Sequence, residues 1–114
     1  MSSIHDTISA LSTPPGNGAI AVIRVSGESA VAIVDSFFSG NLQKSQTHRV
    51  IFGKIVYQAE IIDEVLVTVF RAPQSYTGED VVEISCHGSM FIAQQILQLL
   101  LKKSRMAEPG EFTQ

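Results

Sequence analysis

A single cysteine, Cys86, is all the thiol chemistry the sequence holds, so no internal disulfide braces the fold and a reducing cytoplasm is the expected compartment. The opening residues, Met1-Ser2-Ser3-Ile4-His5, are too polar to begin a secretory signal. No apolar run approaches the length that spans a bilayer, and no membrane association is expected. Positive charge is scarce as well. Against 11 Asp and Glu stand 8 Lys and Arg, a formal charge of -3, which excludes the broad basic surface that grips nucleic acid. If RNA matters to this chain, another domain or subunit must hold it. The phosphate-cradling pattern G-x-x-x-x-G-K followed by Ser or Thr occurs nowhere, so the chain alone should hydrolyse neither GTP nor ATP. Gly16-Asn17-Gly18 does not replace it, because it opens a strand rather than a helix. His5, His48 and His87 lack ligand-like spacing, and no metal site is expected.

What the chain does have is apolar content, 45% of 114 residues, enough to exclude disorder and to build one core in one domain over residues 1–114. A well-filled core and a buried dimer interface explain that content equally well. Residues 6 to 12 read as a short strand, closed by the turn Thr13-Pro14-Pro15-Gly16-Asn17-Gly18. Ala19 to Val25 is a β-branched run, interrupted by Arg24, and reads as a central strand. Ser26 is placed to cap a helix carrying Ala30, Ile33, Val34, Phe37 and Phe38 at helical spacing, ended by Ser39-Gly40.

Strands near 48 to 57 and 60 to 70 suit an antiparallel hairpin, the second so apolar that cover on both faces is expected, by helices or by a second subunit. After a polar turn from Tyr76 to Asp80 comes a strand through Cys86. Ser89 then caps a helix from Met90 to Lys103, whose final lysines meet the negative end of its dipole. The order β-β-α-β-β-β-α, with a short strand at 104 to 108, predicts an α+β domain: a mixed sheet of five to six strands with two main helices.

Strand parity organises the candidate site. Val82, Ile84 and Cys86 share one face, while Glu83, Ser85 and His87 share the other. Cys86 and His87 therefore cannot form a nucleophile–base dyad, and Cys86 reads as a core residue. A small hydrolase using Ser85 or Cys86 would need a base on the same face. His87, just before Gly88-Ser89, either finishes the strand or touches a ligand at a helix start. Arg24 and Glu83 are each charged within apolar strands, and charges persist there when paired or bound to a ligand. Either they pair with each other, or they line a pocket in which the carboxylate accepts from a flat heterocycle and the guanidinium meets an acidic tail. Tyr76 either stacks on such a ligand or closes its turn in water.

Asp6-Thr7-Ile8, Thr13-Pro14-Pro15-Gly16, Ile23-Arg24-Val25-Ser26-Gly27, Tyr76-Thr77-Gly78-Glu79-Asp80, Glu83, His87-Gly88 and Pro109-Gly110-Glu111-Phe112-Thr113, in this order, resemble the N-terminal domain of the bacterial tRNA modification GTPases, the MnmE or TrmE family. The resemblance covers essentially the whole chain. It implies a fold related to folate-binding aminomethyltransferase modules, binding of a formyl-tetrahydrofolate, and homodimerisation. It also implies a helical domain and a G domain elsewhere, the latter using GTP, magnesium and potassium, with a flavin-containing partner of the GidA or MnmG type and tRNA wobble uridine as the target. Arg24 and Glu83 match the family's folate-contacting positions, with Tyr76 and His87 as further candidates. Two departures from the pattern are visible. The sequence stops at Gln114, before the segment where relatives carry another folate-contacting lysine, so one domain of a longer protein is expected. Asn17 stands where relatives commonly have a basic residue. The alternative to a folate-binding module is a purely structural dimeriser, with Arg24 and Glu83 as an internal ion pair.

Overall fold

Alternating burial along each strand sets the architecture. The computed structural model describes residues 7–12, 20–44, 46–72 and 79–106. Along these the chain runs β1 (Ile8–Leu11), β2 (Ile20–Ser26), α1 (Ala30–Asp35), β3 (Arg49–Tyr57), β4 (Glu60–Phe70), β5 (Val81–His87), α2 (Met90–Leu100) and β6 (Arg105–Met106). One 6-stranded sheet results, in the order β3-β4-β5-β2-β1-β6. All neighbours are antiparallel except the β1–β6 pair, so the sheet is mixed and the α+β expectation holds.

Both helices lie on the same face. Ile23 and Val25 of β2, Val65, Val67 and Val69 of β4, and Ile84 of β5 point towards Val34 of α1 and Ile96 and Leu100 of α2 in one continuous core. Each such side chain, fully removed from water, contributes roughly 1.5–3 kcal/mol. The opposite face has no helix over it among the described residues, and Ile20, Val50, Phe52 and Leu66 are exposed there. Among the described residues helices cover β4 on one face only: its valines alternate inward while Leu66 looks outward, 45% exposed.

The helix starts differ from the sequence expectation. Ser26 does not cap α1; it is a buried, paired strand residue opposite Val81, and the chain first turns at Gly27 (φ 145°), a conformation that suits glycine. α1 is only 6 residues long. Phe37 and Phe38 fall beyond it, and Phe38 leaves to form an antiparallel bridge with Ile55 of β3. Ser89 does occupy the N-cap position of α2, without a side-chain capping bond, and α2 stops at Leu100, short of the lysines. The ammonium groups of Lys102 and Lys103 instead sit over the rings of Tyr57 and Phe37, at 5.6 and 5.1 Å from their centroids.

Candidate functional site

β2 and β5 are hydrogen-bonded neighbours, and their register sets Arg24 directly opposite Glu83. Ile23, Val25, Val82 and Ile84 on either side turn into the core, so parity sends both charged side chains to the uncovered face. There Arg24 Nε and Nη2 both donate to Glu83 Oε2, at 2.9 and 2.7 Å. Their side chains are 25% and 21% exposed, a half-buried pair rather than a core one. Of the two readings open from sequence, mutual pairing is the one whose geometry the structure contains. Neither residue lines the two hollows described below.

Two register steps along the same strands, past Val22 and Ser85, Ile20 faces His87. Four residues of strand put His87 roughly 13 Å from the ion pair, so the face brings Arg24 and Glu83 together and leaves His87 apart. Tyr76 lies outside the described residues. His87 has a partner that the sequence reading missed. The β4–β5 ladder runs to Leu66 and Ser85, and beyond it the buried carboxylate of Asp63 reaches across. Its Oδ2 accepts the His87 backbone N–H at 2.9 Å, and Oδ1 meets Nδ1 at 2.6 Å. Asp63 was legible by the rule that singled out Arg24 and Glu83, since it too is a charge inside an apolar strand.

Where the strands part, a shallow hollow of ≈ 170 Å³ opens, lined by Ile20, Phe52, Leu66, Ser85 and His87 among others. A second, of ≈ 320 Å³, lies between the outer side of α2, at Phe91 and Gln95, and Tyr57 and Ile62. Cys86 points to the helix-covered side, 3% exposed. Burial, and secondarily the nearby Asp63 charge, push its thiol up to about 11 from 9.0. A protonated thiol on the face opposite His87 cannot serve as a nucleophile. Among the described residues no group of three or more His, Cys, Asp or Glu could hold a metal ion, and no helix is long and apolar enough to cross a membrane.

The class these features define is a two-layer α+β domain that gathers its charged strand residues on the uncovered side of the sheet and offers no glycine loop to a nucleotide among the described residues. Residues 7–114 match the family described as the GTP-binding protein TrmE N-terminus, and the chain belongs to that family. It is 58% identical over 96% of its length to the tRNA modification GTPase MnmE of Flavobacterium johnsoniae, and 54% identical over 95% to that of Enterococcus faecalis. The corresponding protein of Chlamydia pneumoniae is 47% identical over 96% of the chain. The chain spans only about a quarter of these relatives' own length, 24%, 24% and 25% respectively.

Proposed function

We propose that this domain binds a formyl-tetrahydrofolate at the Arg24–Glu83 pair and holds together two copies of a longer, cytoplasmic tRNA-modifying GTPase. In that protein GTP, magnesium and potassium belong to a separate G domain, and the target is the tRNA wobble uridine, modified together with a flavin-containing MnmG-type subunit. The observation that carries the folate reading is the cross-strand placement of Arg24 and Glu83 on the sheet face away from the helices, about a quarter exposed and held in register. A carboxylate accepts at up to four positions, which fits the paired donors on the edge of a flat heterocycle, and Arg24 fixes its orientation. Bound there, the folate supplies a one-carbon unit; the chain's own part is to bind and orient it.

A second reading has its own support: the two charges already satisfy each other at 2.7 Å, as in a purely structural dimerisation domain. Calorimetric titration with 5-formyl-tetrahydrofolate separates the two, on this chain and on one extended beyond Gln114. The folate reading expects binding that weakens about tenfold or more in Glu83→Gln, the cost of a lost charge-assisted hydrogen bond. Unchanged binding in Glu83→Gln would remove the pair from the site. No binding by either chain, with Arg24→Met and Glu83→Gln each melting lower, would hand the pair to the structural reading.

A further inference from the structure

The sheet has an edge at β3, and the described residues cover only part of it. Ser39 N–H donates to Lys54 O at 2.9 Å, Ser39 Oγ accepts from Lys54 N–H at 2.9 Å, and Val56 N–H donates to Phe37 O at 2.7 Å. Backbone groups alternate in direction along a strand, so the N–H and C=O of Phe52 and Val50 point the same outward way as those of Lys54. No described residue pairs with them there. The side chains at these two stations are apolar and 66% and 60% exposed, on the face the helices leave bare. A bare apolar edge is a template for another strand.

Charge says which strand. Arg49 and Lys54 flank the open stretch, and β3 carries no carboxylate although the chain as a whole is acidic. Glu64 faces Lys54 from β4, one strand further in. A second copy pairing antiparallel about Ile51 would bring Arg49 and Lys54 of both strands to one seam with no β3 carboxylate to meet them, and like charges brought together across a strand pair are destabilising. A guest with carboxylates at its ends meets no such opposition. Phe52 also walls the hollow it shares with Ile20 and Leu66, which gives an apolar guest side chain a seat.

We propose that Arg49–Gly53 of β3 is a strand-addition site for an extended segment of another polypeptide, with apolar residues at alternate positions between carboxylates. The backbone of Val50 and Phe52 supplies the hydrogen bonds, and Arg49 and Lys54 select the guest. The site is independent of the Arg24–Glu83 pair and of any folate. The test is amide hydrogen exchange, followed by NMR on this chain, during titration with a short synthetic peptide of alternating Val and Thr ended by glutamates, and with a lysine-ended counterpart. Exchange at Val50 and Phe52 should slow with the first peptide, and the second should bind about tenfold more weakly, the scale of two or three surface ion pairs. Phe52→Pro, which removes an outward donor, should abolish binding. The double variant Arg49→Glu with Lys54→Glu leaves the backbone intact and should reverse the preference, which keeps the test decisive even where Phe52→Pro does not fold. Absence of protection at these two amides, or equal affinity for both peptides, overturns the proposal. So does protection that grows with chain concentration in the peptide's absence, because a second copy would then own the edge.

Discussion

Cys86 and His87 are neighbours in sequence and strangers in chemistry, because the strand turns one into the core and the other to water. Such parity is legible from residue order alone. What sequence does not contain is which strands lie side by side: Arg24 and Glu83 stand out as charges among apolar residues, but their pairing exists only because β2 and β5 are adjacent in this register. Asp63 shows the same limit, since its partner His87 comes from a strand it meets only where the ladder ends. Cys86 permits a test at this scale. Its thiol is raised to about 11 from 9.0, with burial the larger cause and Asp63 the smaller. The folded state therefore disfavours the thiolate, and the resulting stability is fully present below pH 9 and fades as pH rises through about 11. The melting temperature of the native chain relative to Cys86→Val should fall across that window. A thiol reagent at pH 8 should label Cys86 slowly in the folded chain and quickly in denaturant. Equal labelling rates would show that the thiol is not held as described.

Among the elements, the β3–β4 hairpin followed directly from composition, whereas its turn did not. Gln58 and Ala59 take φ of 51° and 67°, a conformation usually signalled by Asn or Gly. α1 was overestimated because Phe37 and Phe38 keep helical spacing while serving another purpose. The Phe38 ring lies over Gly53 of β3, where an added Cβ would come 2.4 Å from Cζ and 2.7 Å from Cε1. That contact lets residues 37–39 run against the strand edge and bond to Lys54 and Val56. Periodicity cannot reveal it, since the glycine it depends on is 15 residues away in sequence from Phe38. Gly53→Ala should therefore destabilise the domain by about 2 kcal/mol, the usual cost of overpacking against a ring that cannot retreat. Urea unfolding would measure this, and Phe38→Leu in the same background should recover part of the loss. A neutral Gly53→Ala would mean that Phe38 is free to move.

For the molecule as a whole, the central question is what becomes of the bare side of the sheet. The fold class and the order of elements along the chain were readable because each strand alternates or runs apolar, whereas the apolar signal in β4 is met by helices on one face only among the described residues, with Leu66 and Ile61 45% and 59% exposed. A surface with Ile20, Phe52 and Leu66 on one side, and Phe91 on the other at 72% exposure, is more apolar than a lone small domain needs. The chain belongs to a family whose relatives are about four times as long. If the proposed homodimer forms through this domain, sedimentation velocity on the chain alone should show mass rising to twice the monomer with concentration. A stable dimer needs about 800 Å² buried on each partner, more than the β3 edge offers by itself. A charge placed in the middle of the sheet face, as in Leu66→Glu, should then weaken association about tenfold or more if that face is the contact, while the same change at Phe91 should not. The opposite pattern would move the interface to α2, and a chain that stays monomeric throughout would deny this domain its part in dimerisation.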